Sequence, residues 1–160
     1  MTALKEWITL AEQGNADAQY SLGIIYDIGE GVAKDCKAAF EWYKKAAKQD
    51  NVNAQLNLGV MYINGRGVTQ DYEAAAVWYE KAAILGDHLA QYYLGAIHLT
   101  GQGVKQDDIR AHMWWSVAAF QGSKKAIINR DILEKKMTLD DVTKARQLAH
   151  EFVAKNYKGC

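Results

Sequence analysis

The 160-residue chain contains no proline, where an average usage of about 5% would supply roughly eight. Proline interrupts helices and removes a backbone donor, so its absence suits long helices joined by turns of another kind. There is no excess of either charge, 19 basic residues balancing 19 acidic ones. A nucleic-acid-binding chain shows a basic surplus or a clustered basic face. The paired runs Lys44-Lys45, Lys124-Lys125 and Lys135-Lys136 are each no larger than an ordinary solvated helix face, so no nucleic-acid partner is expected. Cysteine is scarce. Cys36 and Cys160 make no disulfide framework and stand in no metal-ligand spacing. No apolar run approaches the roughly 18 residues of a membrane helix, and no membrane insertion is expected. Met1 to Gly14 lacks the basic start and apolar centre of a secretory leader and reads as an amphipathic helix. The compartment stays open: cytoplasmic if the chain is complete, periplasmic or secreted if a leader has been removed.

What the sequence does contain is itself, three times over. Ala18-Gln-Tyr-Ser-Leu-Gly-Ile-Ile-Tyr26, Ala54-Gln-Leu-Asn-Leu-Gly-Val-Met-Tyr62 and Ala90-Gln-Tyr-Tyr-Leu-Gly-Ala-Ile-His98 superpose at a spacing of 36 without a gap. The phase runs on through Gly29-Glu-Gly-Val32, Gly65-Arg-Gly-Val68 and Gly101-Gln-Gly-Val104. It then passes Asp35, Asp71 and Asp107, and ends on Ala46-Ala47, Ala82-Ala83 and Ala118-Ala119. Rare residues test the period more sharply. Twelve of the thirteen glycines occupy four slots, and all five tryptophans occupy two adjacent ones.

Each unit reads as two helices. Ala18, Leu22, Ile25 and Tyr26 form one stripe at helical spacing and predict a first helix over about 17–27. Glycine at 23, 59 and 95 is unfavourable inside a helix by about 1 kcal/mol against alanine, so its recurrence points to a close helix crossing. Gly29 stands where a C-cap glycine belongs, and Asp35, Asp71 and Asp107 where the second helix wants an N-cap. That second helix, about 36–48, turns Ala39, Trp42 or its aromatic neighbour, and Ala46 to the core. Residues 1–14 match only a second helix, 15–50, 51–86 and 87–122 are full repeats, and 123–160 form a C-terminal cap. In the cap Thr138-Leu-Asp-Asp141 reads as a capping box, and Val142, Ala145, Ala149, Phe152 and Val153 point inward. The expected fold is all-α: a right-handed α-solenoid of about eight helices in antiparallel pairs, with no sheet.

The pattern Ala-x-x-x-Leu-Gly-x-x-Tyr, Gly-x-Gly-Val, Asp, Trp-Tyr-x-x-Ala-Ala resembles the SEL-one-like repeats, relatives of the tetratricopeptide repeats with a slightly longer unit. The resemblance covers nearly the whole chain, with His98 replacing the tyrosine and Asp50 the closing glycine. It implies an adaptor that binds another protein. Some cysteine-rich members have been linked to β-lactams. This chain lacks their paired cysteines, and no serine has its lysine in a Ser-x-x-Lys arrangement. A β-lactam-interacting hydrolase and a structural subunit of a larger assembly are the alternatives to the adaptor.

Chemistry-bearing residues are thinly spread. The Gly-x-Gly loops lack the lysine and hydroxyl residue of a phosphate loop and read as turns. His88, His98, His112 and His150 give no His-x-x-x-His metal pair. His98, in a tyrosine slot, reads as a packing residue with a satisfied ring nitrogen, and Cys36 as incidental at a helix start. No catalytic residue, cofactor or metal is assigned. A partner site shows itself differently, as positions that vary between copies on one helix face. Residues 17, 21, 24 and 28 and their repeats form that face. The candidate set is Asp17, Ser21, Ile24, Asn53, Asn57, Asn64, Leu89, Tyr93 and Thr100, expected to line the concave side of a monomer and to receive a protein or peptide. Tyr93 is the expected anchor, with the asparagines serving the partner's backbone. Two outcomes follow: a far-UV circular dichroism spectrum dominated by helix with no strand contribution, and unfolding of the array by Trp78→Ala well before Tyr93→Ala disturbs the melting temperature.

Overall fold

The computed structural model describes residues 3–157; the second cysteine, Cys160, lies outside them. Among the described residues there are nine helices and no strand. These are α1 (Ala3–Glu12), α2 (Ala16–Ile28), α3 (Cys36–Ala47), α4 (Val52–Asn64), α5 (Tyr72–Ile84), α6 (His88–Thr100), α7 (Asp108–Phe120), α8 (Lys124–Glu134) and α9 (Leu139–Asn156). The count is close to the expected eight: one half-repeat helix, three pairs, and the two cap helices α8 and α9 that flank the turn before Thr138. The chain falls into two compact units, Met1–Trp78 and Tyr79–Cys160, with the boundary inside α5.

Short polar side chains begin every first helix. Asn15, Asn51, Asp87 and Ser123 share one slot, and each accepts the amide three residues on, from Ala18, Ala54, Ala90 and Ala126, at 2.7–3.3 Å. At the other end Gly29, Gly65 and Gly101 adopt φ of 78°, 62° and 72° and donate to the carbonyls of Ile25, Met61 and Ile97. These are left-handed caps that a side chain would strain. The Asp35, Asp71 and Asp107 amides then return to the carbonyls of residues 26, 62 and 98 at 2.9–3.0 Å, closing each loop on the helix it left. Their carboxylates accept the first amides of the second helices, as the spacing predicts.

In the first unit α2 packs on α3 through Gly23, where a β-carbon would collide with the Tyr43 ring. In the second unit Gly95 of α6 lies against the Trp115 indole of α7 in the same way. The buried aromatics are therefore Tyr43, Tyr79 and Trp115, while Trp42 and Trp78, one residue earlier, are half-buried. The core load expected of Trp78 passes to Tyr79. Trp114 is buried as well, because Phe152 of α9 meets its ring edge-on at 5.1 Å.

One buried polar slot recurs. Gln19, Gln55 and Gln91 each donate from Nε2 to the carbonyl eight residues back, that of Ala11, Ala47 or Ala83, at 3.0–3.1 Å. Those carbonyls belong to the last turn of the preceding second helix and have no acceptor role inside it. The glutamine thus ties one helix pair to the next. Its Oε1 is served by Gln49 in the first unit and by Gln121 in the second. The Gln55 Oε1 has no partner. In the cap Thr138 accepts from the Asp141 amide, Val142, Ala145 and Ala149 are buried, and Phe152 and Val153 are half-buried.

Asp50 takes the slot that holds glycine at 14, 86 and 122, and keeps the left-handed conformation with φ 61°. Two substitutions should move stability in opposite directions. Gly95→Ala overpacks the Trp115 crossing and should cost about 1–3 kcal/mol. Asp50→Gly relieves a strained φ and should gain up to about 1 kcal/mol net of the added chain entropy. Urea midpoints at unchanged m-value read both.

Candidate partner-binding face

The face reached by residues 17, 21, 24 and 28 and their repeats is exposed or half-exposed throughout. In the first unit Asp17 stands at the start of α2 and is approached by the Asn51 amide of α4 at 3.4 Å. Ser21 donates its hydroxyl to its own helix, at the Asp17 carbonyl. Asn64 donates to the Val60 carbonyl of α4 at 2.9 Å, and Thr100 of α6 in the second unit to that of Ala96 at 3.0 Å. Such back-bonding four residues along a helix takes the hydroxyl donor of Ser21 and Thr100 and one of the two N–H donors of Asn64. Asn57 faces the Tyr43 hydroxyl. Asn64 keeps its second N–H and its Oδ1, and Asn53 and Asn57 keep acceptor oxygens, for a partner's backbone. Ile24 is half-buried and packs on the first unit's core.

Apolar side chains are exposed on this face in both units: Ile28 is 61% exposed in the first, and Leu89 44% and Tyr93 36% in the second. Tyr93 is less detached from the core than its slot suggested. Its ring stacks on buried Tyr79 at 5.2 Å, with Tyr92 edge-on at 5.6 Å. Truncation at Tyr93 therefore removes a stacking contact as well as surface.

The crevice between consecutive first helices has opposite chemistry in the two units. Between α2 and α4 it is polar. Asp27 pairs with Arg66 at 2.8 Å, and the Tyr43 hydroxyl lies beside Asn57 and Asp27. Burial, and after it the Asp27 carboxylate, push the Tyr43 phenol far above its ordinary value. Between α6 and α8 the same slots hold Leu99 for Asp27, Trp115 for Tyr43 and Asn129 for Asn57. The Trp115 Nε1–H is turned to the Tyr92 carbonyl at 3.0 Å, and Asn129 to the Tyr92 hydroxyl. What remains is an open, mainly apolar cleft of about 300 Å³, walled by Ala96, Leu99 and Thr100 of α6, Trp115 of α7, and Ile132 with Lys136 at α8. Thr100 is the one sequence-selected residue that lines it. Ile132 and Lys136 were missed, although α8 keeps the repeat phase and places them in the slots of Ala96 and Thr100.

A second cluster joins three helices at the cap. His112, fully buried on α7, donates Nε2–H to Glu134 at 3.0 Å, and Arg146 of α9 pairs with the other carboxylate oxygen. The Ser116 hydroxyl meets His112 Nδ1 at 3.2 Å. A serine, a histidine and a carboxylate in sequence suggest nucleophilic catalysis, but an imidazole with 0% exposure cannot reach a substrate. The cluster ties α7, α8 and α9 together at the cap. Hydrogen bonding from His112, then the Arg146 charge, hold the Glu134 carboxyl below its ordinary range. His98 is only partly satisfied: one ring nitrogen bonds the Lys105 backbone, Nδ1 is buried without a partner, and burial lowers its pKa. Cys36 is a free, half-buried thiol at the first position of α3. Among the described residues no three His, Cys, Asp or Glu side chains are placed to hold a metal ion.

The Sel1 repeat family profile matches residues 16–51, 52–87 and 88–123. A Sel1 repeat protein from Oxalobacter formigenes is 36% identical, with 82% of this chain and 98% of that one aligned at a TM-score of 0.76. The uropathogenic Escherichia coli protective antigen c5321, which displays an SLR fold, is 33% identical over 96% of this chain, at a TM-score of 0.63. That alignment spans only 41% of the antigen. Helicobacter pylori cysteine rich protein B is 25% identical, with 79% of this chain and 96% of that one aligned at a TM-score of 0.60. No curated protein sequence matches the chain.

Because Glu134 is depressed in the fold, its contribution to stability is present at neutral pH and withdrawn as pH falls below the ordinary glutamate value of about 4.3. Glu134→Gln should lower stability at pH 7 and flatten the loss between pH 5 and pH 3, roughly in line with that linkage. Chemical denaturation at stepped pH values measures it; parallel curves for parent and variant would remove the cluster from the acid response.

Proposed function

The chain belongs to the Sel1 repeat family, whose members are generally non-catalytic scaffolds for protein interaction, and from that premise we propose that it binds a protein or peptide along its first-helix face. The observation that carries this reading is the contrast between slots. Scaffold positions repeat almost unchanged, while the face through 17, 21, 24 and 28 and their copies changes in each unit and carries exposed Leu89 and Tyr93. Aromatic anchors of this kind dominate binding energy at interfaces. Asp17, Ser21, Asn53, Asn57 and Asn64, with half-buried Ile24, form the first unit's part of the proposed face, and Leu89, Tyr93 and Thr100 the second unit's. No helix among the described residues is long and apolar enough to cross a membrane.

Photo-crosslinking residues placed at positions 89 and 93 on the first-helix face, and at Phe120 on the end of α7, test the assignment. The partner should be trapped from 89 and 93 and not from 120. Tyr93→Ala should then weaken the purified complex about thirtyfold, at a stability cost of about 1 kcal/mol from the lost stacking. Undiminished binding by Tyr93→Ala, with loss of binding in Phe120→Ala, would move the site to the second helices.

A further inference from the structure

We infer that the cleft between α6 and α8 seats one large apolar side chain of the partner, followed or preceded by an acidic residue whose carboxylate meets Lys136. The inference rests on the reading of the first-helix face as partner-binding and names what that face selects.

Size and lining set the apolar half. A volume of about 300 Å³ is floored by Trp115 and walled by Leu99 and Ile132, which are 37% and 53% exposed on otherwise ordered helices. The two polar groups in the floor are already satisfied, Trp115 Nε1 by the Tyr92 carbonyl and Asn129 by the Tyr92 hydroxyl. A phenylalanine or leucine side chain can therefore enter without leaving either group unpaired, which is the condition for favourable desolvation. A polar occupant would find few partners in the floor.

Charge sets the other half. Two charged residues line the cleft, Asp108 and Lys136. Asp108 already accepts a hydrogen bond from the Gln106 side chain. The side chain of Lys136, one residue past the α8 C-cap, makes no ion pair or hydrogen bond among the described residues. Asp108 keeps its negative charge under that neutral donor, so the charged group at the rim left without a side-chain partner is the Lys136 ammonium, and a carboxylate placed beside it is complementary.

The molecule also contains its own control. In the first unit the equivalent crevice carries the Asp27–Arg66 pair and the Tyr43–Asn57 hydrogen bond, and an apolar side chain there would have to displace them. After α8 the Gly-x-Gly loop that supplies Arg66 is absent, and Leu99 replaces the aspartate. Leu99 for Asp27, Trp115 for Tyr43 and the loss of the loop that carries Arg66 separate the open apolar crevice from the bridged polar one.

The test uses the full chain and three acetylated, amidated nine-residue peptides that differ only beside a central phenylalanine: glutamate, lysine or glutamine. Octanoate serves as a free-acid probe. Amide and indole N–H shifts in ¹H–¹⁵N spectra locate and quantify binding. The expected result is movement of the Trp115 indole with Leu99, Ile132 and Lys136. The glutamate peptide should bind about two- to fivefold tighter than the lysine peptide, the range of an exposed ion pair. Lys136→Glu should reverse that order, and Leu99→Asp, which restores the residue of the first unit's slot, should abolish binding by all three. Equal binding of the glutamate and lysine peptides, or shifts confined to other surfaces, would overturn the inference. So would octanoate occupying the cleft while the peptides do not. Crosslinking from 89 and 93 with no peptide in the cleft leaves the face standing and removes this site. Peptide in the cleft with crosslinks only from 120 does the reverse.

Discussion

Close approach of two helices at a residue without a side chain is the constraint on which the rest of the fold depends. The Tyr43 ring lies where a β-carbon of Gly23 would be, and the Trp115 indole where that of Gly95 would be. Such contact brings α2 onto α3 and α6 onto α7 closely enough to leave Leu22 and Leu94 with almost no exposed surface. It also dictates the residues around it. A glycine that weakens the helix must be offset by firm helix ends, and the structure supplies them: a polar N-cap before every first helix and a left-handed glycine after each of α2, α4 and α6. The buried glutamines complete the arrangement by adding a second donor to helix-end carbonyls that already accept the amides of Gly14, Asp50 and Gly86.

Most of the architecture was legible because the chain repeats, so that each slot is observed three times. Glycine at 23, 59 and 95 announced a crossing, found at Gly23 and Gly95, and the aspartates at 35, 71 and 107 announced caps, found at all three. The slot at 15, 51, 87 and 123 carries an equally plain capping signal, since Asn, Asn, Asp and Ser share only a short acceptor side chain. The glutamine slot was visible as a pattern without a role, because a buried amide and a surface amide look alike in sequence. Nothing periodic marks the His112, Glu134 and Arg146 cluster, which occurs once and joins residues 22 and 12 positions apart. The candidate face was readable as variable positions. Which of its side chains still have free donors was not, because back-bonding by Ser21, Asn64 and Thr100 depends on rotamers.

Repeats also let one chain serve as its own mutational series. The crevice between consecutive first helices is built from the same slots in both units, yet one copy has Asp27, Tyr43 and Asn57 and the other Leu99, Trp115 and Asn129. The scaffold of α2, α4 and α6 is unchanged, with the same Ala–Leu–Gly stripe, the same caps and the same buried glutamine, while α8 keeps the alanine and the N-cap but has Ile127, Arg130 and Asp131 in the other slots. Recognition chemistry and folding chemistry are thus carried by different positions of one helix, three or four residues apart, and either can be altered with little effect on the other. Tyr93 is an exception, because its ring both faces solvent and stacks on Tyr79.

The helix end at Asn64 and Gly65 bears on how the protein ages. In a flexible chain, asparagine before glycine readily cyclises: the glycine nitrogen attacks the side-chain amide, ammonia leaves, and the ring opens to aspartate or isoaspartate. Here both reacting groups are occupied. The Gly65 amide donates to the Met61 carbonyl and the Asn64 Nδ2 to the Val60 carbonyl, within a left-handed cap. Attack requires that last turn of α4 to open first. The cap that ends the helix therefore also protects an exposed asparagine from deamidation, and the lifetime of that residue is governed by fraying of a single turn.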